Sequence, residues 1–254
     1  MRKHSTRNKA AWEYRAYEFW CSQGSPKQKA EYIMKDPKTR LRYHQKYFED
    51  IENLKISNVC GSNGRIAVPL ALLGANVRVF DISEENKRYA LELAECAGVQ
   101  IQYEVGNFYD VNLKKYSSYF DMTYLEGGVL HYFHDINSFL GKLFSILKSG
   151  GKLILSDFHP FRKINLNGSS MMSVSQTEGD YFDTHTHYCN VAYKSFFPEE
   201  EQNLFLDCSL RFYTLSEIIN SVIKAGFVIK EFNRHPNFEN KKLPGEFSIY
   251  AIKE

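Results

Sequence analysis

From Ile56 to Asp157 short apolar runs take turns with amphipathic stretches, and this alternation restricts the chain to few folds. Strands are predicted at 56–60, 77–81, 100–104, 119–125 and 152–157, with helices near 65–73, 84–97 and 137–148 between them. Strand–helix–strand units of that size build a parallel sheet, and the right-handed crossover leaves few ways to connect it. Gly74 and Gly98 fall where helix ends favour a left-handed residue, and Lys148-Ser149-Gly150-Gly151 closes the helix before the fifth strand. A capped helix opens at Thr214-Leu215-Ser216-Glu217 and runs to Ala225-Gly226, followed by strands at 227–233 and 246–252. The loop joining these two is too short for a crossover helix, so they are expected to pair antiparallel. The pattern specifies an α/β protein: a mostly parallel seven-stranded sheet ending in an antiparallel hairpin, with helices on both faces.

Two stretches stand outside this pattern. Residues 1–52 read as a helical prefix, with Trp12, Tyr14, Tyr17, Phe19 and Trp20 ahead of the breaker Gly24-Ser25-Pro26. A second helix is expected near 26–34, and a third after Asp36-Pro37, a cap followed by a first-turn proline, which carries Leu41, Phe48 and Ile51 toward a core. Residues 158–212 form a long aromatic insertion, and a stretch of that length with little helical periodicity is usually functional. The main domain is therefore read as 53–254, with 1–52 as a lid and 158–212 as a substrate cap.

Composition narrows the class. The chain is 43% hydrophobic and 24% charged, ordinary for a globular protein. No run approaches the ~18–20 apolar residues of a membrane span, and no apolar core follows the basic start, so neither membrane nor secretory signal is expected. Five scattered cysteines without a CxxC pair suit reduced thiols in a cytoplasm. Residues 1–46 carry twelve Lys/Arg against four acids. Such an arm can meet nucleic acid or an anionic substrate; the plainer account is a solvated helical face. The sequence specifies no oligomeric state.

In an open α/β sheet, ligands sit beyond the carboxyl ends of the strands, beside the first strand. Here that end is Asn58-Val59-Cys60-Gly61-Ser62-Asn63-Gly64-Arg65, running directly into a helix. Glycines let such a turn approach a ligand closely, and free helix-start N–H groups attract a carboxylate or phosphate. Asp81 closes the second strand, where an acid can accept both hydroxyls of an adenosyl ribose. A dinucleotide site offers the same acid but normally uses GxGxxG, and the spacing here, Gly61 to Gly64, argues against it.

Over residues 54–254 the chain resembles the class I, Rossmann-like, S-adenosylmethionine-dependent methyltransferases of the small-molecule type. The resemblance rests on Asn58–Arg65, Asp81-Ile82-Ser83, Gly106-Asn107-Phe108, Glu126-Gly127-Gly128-Val129-Leu130-His131, Leu147–Gly151 and the ending Phe247–Lys253. It implies S-adenosylmethionine as cofactor and S-adenosylhomocysteine as product. The methionine part would lie on Cys60, Gly61, Ser62, Asn63 and Gly64, and the ribose on Asp81 beside Ile82. Adenine would be flanked by Asn107 and Phe108, while Glu126 and Gly127 would lie near the ammonium and the methyl group. The chain departs from the family in three places: Asn58 stands for the usual acid, Cys60 and Ser62 for two glycines, and Asn107 for a frequent Asp.

Methyl transfer needs alignment and a ready nucleophile above all, and where a base exists His is commonest. The candidates are His159, on the rim after the fifth strand, and His131, after the fourth; packed or loop roles are open for both. The acceptor is expected to touch Tyr17, Trp20, His159, Tyr181, His185 and His187. In Asp183-Thr184-His185-Thr186-His187-Tyr188-Cys189, strand alternation would put Asp183, His185, His187 and Cys189 on one face. These are metal-ligating types, but one HxH without a second cluster reads as a polar pocket wall or an exposed strand face, and no metal is expected. The expected activity is methyl transfer to a small, partly apolar acceptor. Alternatives are an RNA methyltransferase using the basic arm, a nicotinamide-dependent oxidoreductase, and a non-catalytic cofactor-binding protein.

Overall fold

A computed structural model describes residues 2–163, 180–238 and 240–254. The part of the expected insertion between 164 and 179 lies outside the described residues. Nine strands are described: β1 (Lys55–Val59), β2 (Asn76–Asp81), β3 (Gln102–Val105), β4 (Phe120–Glu126), β5 (Leu147–Phe158), β6 (Thr186–Asn190), β7 (Asp207–Arg211), β8 (Phe227–Pro236) and β9 (Pro244–Lys253). Seven of them form one sheet in the order β3-β2-β1-β4-β5-β9-β8. β1 to β5 are parallel; β9 runs antiparallel between β5 and β8. The expected sheet and its antiparallel end are therefore present, and the order reverses beside β1, between β1 and β4.

The helices are α1 (Arg2–Glu13), α2 (Ala16–Ser22), α3 (Pro26–Lys35), α4 (Ala67–Leu72), α5 (Glu84–Cys96), α6 (Leu113–Tyr116), α7 (Ile136–Ile146) and α8 (Leu215–Lys224). Strand alternation divides the core between the two faces of the sheet. Leu153 and Leu155 of β5 join Leu125 in a core beneath α7 and α8. Ile154, Met122 and Tyr124 point the other way, into a core shared with α3, α4 and α5. Phe48, Leu41 and Ile51 extend that second core, as the prefix pattern implies, and Tyr47 packs against it. Among the described residues no helix is long and apolar enough to cross a membrane.

Three local expectations change. The first stretch of the helical prefix, ahead of Gly24, is broken into α1 and α2 at Arg15, whose φ of 55° is left-handed and ends a helical run. Arg15 holds this bend by pairing with Glu18 at 2.5 Å and with Glu201 of the insertion. The third prefix helix is a 3-10 segment, Pro37–Tyr47, capped by Asp36 as expected but kinked at Arg42, φ 47°. The insertion is not irregular throughout: β6 and β7 pair antiparallel from Thr186↔Arg211 to Asn190↔Asp207.

That hairpin packs on the prefix to form a third core. Tyr193 is its centre, stacked on Phe19 with ring centroids 4.9 Å apart, and its hydroxyl faces the carbonyls of Ala11 and Tyr14 at 3.1 and 2.8 Å. The free edge of β7 is covered by α1. Buried Asn8 donates to the Ser209 carbonyl at 3.0 Å and accepts from the Ser209 N–H at 2.6 Å, standing in for a neighbouring strand. His4 accompanies it, with Nδ1 2.7 Å from Ser209 Oγ and its ring stacked 3.8 Å from His134.

Asn8→Asp keeps the size and the acceptor but sets a carboxylate oxygen against the Ser209 carbonyl. Urea unfolding should show a loss of about 2–3 kcal/mol, the range for a buried polar group left facing a wrong partner. Amides of α1 should exchange faster with solvent. An unchanged midpoint would mean that α1 is not held through this pair.

Candidate functional site

Beyond the carboxyl ends of β1, β2 and β4, beneath α1, α2 and α3, lies a cavity of about 410 Å³, within the ~300–1,000 Å³ usual for small-ligand sites. The first turn shapes its floor. Cys60 and Ser62 have φ of 54° and 48°, and Gly64 78°. Two side-chain-bearing residues thus hold glycine's conformation, at roughly 1–2 kcal/mol each. Hydrogen bonds on both sides fix them: Cys60 N–H to Phe80 O at 2.7 Å, Ser62 N–H to Asp81 Oδ2 at 3.0 Å, and Tyr103 OH to Ser62 O at 2.8 Å. At Gly61 a Cβ would meet Asn58 Oδ1 at 2.4 Å, so only glycine fits there. Gly64 meets Ala90 instead, where a Cβ would come within 2.9 Å; it packs the turn against α5.

Asp81 is the hub. It is buried, and its Oδ1 accepts from Ser83 N–H at 3.1 Å and from Asn86 Nδ2 at 3.2 Å. Burial raises its pKa, and the bonds from Asn86, Ser83, Ser62 and Ile82 oppose that rise. Asn86 in turn accepts from Trp20 Nε1 at 2.8 Å, tying the prefix to the acid.

The fourth-strand loop forms the opposite wall. Gly127 and Gly128 have φ of 87° and 78°, and a Cβ on Gly128 would strike Phe158 at 2.4 Å. Asp157 fixes this loop by accepting from Val129 N–H at 2.9 Å and Leu130 N–H at 2.7 Å. Its own pKa rises to about 6 because burial outweighs those amide bonds. Glu126 accepts from the Tyr124 hydroxyl, which lies 2.9 Å from His44 Nδ1. Since Tyr124 spends its proton on Glu126, His44 donates from Nδ1. Burial, with His235 and Arg42 nearby, holds His44 neutral with a pKa near 4.

Several buried polar atoms of residues lining this cavity have no hydrogen-bond partner among the described residues: Asn58 Oδ1, Ser62 Oγ, His131 Nε2 and Arg40 Nε. Buried groups of this kind are normally paired, and all four belong to residues that line this one cavity. Desolvation alone lowers the His131 pKa to about 3. The remaining wall is aromatic, with Trp12, Phe19, Trp20, Tyr132, Tyr193 and Phe196 among its members.

Of the residues singled out from the sequence, Cys60, Gly61, Ser62, Asn63, Asp81, Ile82, Asn107, Phe108, Glu126, Gly127, Trp20 and His131 line this one cavity. Gly64, Tyr17, His159, Tyr181, His185 and His187 do not. Tyr17 turns outward to Glu92 at 2.6 Å beneath Arg88. His159 spends Nδ1 on the Phe161 N–H at 3.1 Å and its own N–H on Gly245 O, which hold it on the β9 side of the rim. Tyr181 receives the Leu215 N–H at 3.0 Å at the start of α8.

The expected one-faced strand over 183–189 begins only at Thr186. Asp183 instead turns back to the His185 N–H at 2.8 Å, leaving the His185 side chain 90% exposed, and His187 Nε2 lies 2.8 Å from Asp183. Among the described residues no group of three or more His, Cys, Asp or Glu could hold a metal ion. Sequence reasoning passed over Asn8, Arg40 and Asn86. Only Asn86 carried a local signal, as third residue after the helix cap Ser83.

Residues 58–155 match the methyltransferase domain family. A curated relative, a ubiquinone biosynthesis O-methyltransferase of Xanthomonas euvesicatoria pv. vesicatoria, is 29% identical over 117 residues, 46% of this chain and 48% of the relative. The chain thus spans about half the length of that relative. Among solved structures, an S-adenosylmethionine-dependent methyltransferase of Mesorhizobium loti aligns with TM-score 0.61 and 17% identity, covering 82% of this chain and 94% of that one. The magnesium protoporphyrin IX methyltransferase of Synechocystis PCC 6803, solved with bound S-adenosylhomocysteine, aligns with TM-score 0.61 and 14% identity over 99% of this chain and all of that one.

The His131 environment predicts a pH effect on stability. Unfolded, His131 takes a proton below about pH 6.5; folded, it resists until about 3. Stability therefore falls with acidification across that window, by about 1.4 kcal/mol per unit from this residue. Asp157 acts in the opposite sense between its ordinary value and about 6, but is common to both proteins. The unfolding free energy of His131→Gln relative to wild type should thus gain about 1.4 kcal/mol per unit from pH 6 down to 4. Parallel pH profiles would show that His131 is not shielded from water.

Proposed function

We propose that this chain, which carries a methyltransferase domain on the class I fold, transfers the methyl group of S-adenosylmethionine to a small, partly apolar acceptor. The observation that carries this reading is that one cavity at the switch point of the sheet is lined by Asp81 together with Asn58, Ser62 and His131, whose buried Oδ1, Oγ and Nε2 have no hydrogen-bond partner among the described residues. That donor and acceptor set fits the cofactor. Asp81 is the acceptor for two ribose hydroxyls, and the Cys60–Asn63 turn with Asn58 and Glu126 suits an amino-acid end. Ile82, Asn107 and Phe108 supply a slot for a flat base. Once bound, the cofactor supplies an electrophilic methyl group on a sulfonium.

The protein's part is alignment and exclusion of water, which is most of what a displacement of this type needs. Residues 1–52 act as a lid and 158–212 as a cap, and their shared aromatic core encloses the acceptor. With its pKa near 3, His131 is neutral at physiological pH. It is suited to accept a hydrogen bond from the nucleophile and orient it, and is too weak a base to remove a proton from an alcohol. The basic arm is partly spent on internal contacts: Arg7 donates to the Asp207 carbonyl at 2.7 Å, Arg15 pairs with Glu18, and Lys46 pairs with Glu231 at 2.6 Å. This favours a small acceptor over a nucleic acid. Five free thiols suit a reducing cytoplasm.

Calorimetry with S-adenosylmethionine and S-adenosylhomocysteine tests the reading. Wild type should bind both, and Asp81→Ala should lose about 100-fold, the value of two charge-assisted hydrogen bonds. No binding by wild type would overturn the proposal. Equal binding by the variant would remove only the ribose role of Asp81.

A further inference from the structure

The cavity carries more positive charge than the bound cofactor can use. Its lining holds three cations, Lys29, Arg40 and Arg65, against two carboxylates, Asp81 and Glu126. None of the three cationic side chains has an ion-pair partner among the described residues. Arg40 is the most constrained: its Nε is buried without a hydrogen bond, and its guanidinium lies 5.6 Å from the centre of the Tyr32 ring. It sits on the 3-10 segment Pro37–Tyr47, which also places Arg42 3.9 Å from Glu126. Lys29 is half-buried, and its stem runs over Gly24, where a Cβ would come within 2.6 Å of Lys29 Cε. Arg65 stands exposed at the β4 loop, with Nη2 3.1 Å from the place a Gly127 Cβ would take, and solvent screens its charge, so the buried need for a counter-charge rests on Arg40 and Lys29.

Both carboxylates are already engaged, Asp81 by Ser62, Ser83 and Asn86, and Glu126 by Tyr124. S-adenosylmethionine brings one carboxylate, one ammonium and one sulfonium, a net positive charge. Its carboxylate can satisfy one of the three cations and leaves two. A guanidinium is built for bidentate contact with a planar anion, and a partly desolvated cation without a counter-charge is unfavourable.

We infer that the acceptor is a small acid, an aromatic or apolar body bearing a carboxylate or phosphate, and that Arg40 with Lys29 takes its charge while the aromatic wall takes its body. This rests on the reading of the cavity as a methyl-donor site. The same chemistry could instead serve the amino-acid end of the cofactor, and the two sources separate experimentally.

With the protein saturated by S-adenosylhomocysteine, benzoate and phenyl phosphate are titrated beside their neutral counterparts benzamide and benzyl alcohol, following the fluorescence of Trp12 and Trp20. The acids should bind at least about 10-fold more tightly than the neutral compounds. Arg40→Gln should remove that preference and Arg40→Lys retain part of it, while affinity for S-adenosylhomocysteine stays within about twofold. Equal binding of acids and neutral compounds, or of wild type and Arg40→Gln, overturns the anion site, and so does failure of both acids to bind. If Arg40→Gln weakens S-adenosylhomocysteine but not 5′-methylthioadenosine, which lacks the amino-acid end, Arg40 serves the cofactor and the acceptor assignment falls. If wild type binds no S-adenosylhomocysteine but still binds the acids through Arg40, the methyl-donor reading fails and the anion site stands.

Discussion

The buried carboxylate of Asp81 is the joint on which the rest of the site depends. It ends β2, yet its two oxygens reach three different parts of the chain: the Ser62 amide of the first turn, the Ser83 amide at the start of α5, and the Asn86 side chain one turn further. Through Asn86 it also reaches Trp20 of the prefix. A carboxylate is the only side chain that can accept from so many donors without presenting a proton of its own. Its burial disfavours the charge, and each of these bonds offsets part of that. The same bonds hold the first turn in a conformation its residue types would otherwise avoid, so the acid and the turn are stable only together.

A second dependence runs through contacts between distant parts of the chain. α1 and α2 supply Ala11, Ala16 and Phe19, and the insertion supplies Cys189, Val191, Tyr193, Phe197, Phe205 and Leu210, so that a third core forms only when the two meet. Asn8 and the Ser209 backbone lie 201 positions apart and complete each other's hydrogen bonding. Closing the cavity and stabilising its roof are therefore one event.

The sheet was legible because each strand and helix carries its own period and its own terminator. Thr214 with Glu217 closes a reciprocal cap at α8, and Ser83 caps α5. The floor of the site was legible for the same reason, since the turn after β1 and the acid after β2 are adjacent to their strands in sequence. What escaped was long-range or depended on a single bend. Arg40 reaches the cavity because the segment after Pro37 tightens into a 3-10 helix and kinks at Arg42, and nothing local announces that. His159 was misplaced because β5 pairs with β9 as far as Phe158↔Glu246, and the next amide bonds Gly245. Asp183 and His185 fell off the strand face because an Asp side chain bonding an amide two residues on makes a turn, which competes with extension.

The departures in the first turn follow from their neighbours. Asn58 donates Nδ2 to the Tyr124 carbonyl at 3.1 Å while its Oδ1 lies against Gly61. A carboxylate at this position could not donate, and would set an oxygen against the Tyr124 carbonyl in a buried space. The amide removes that conflict and leaves its Oδ1 an acceptor without a hydrogen-bond partner among the described residues. Cys60 and Ser62 give up glycine's ease in the left-handed region, but they also give up glycine's large unfolded-state freedom, which recovers part of the difference. The turn that results is less able to flex than a glycine loop. Its hydroxyl and its backbone donors are set before a ligand arrives, and pre-set polar groups lose little order on binding.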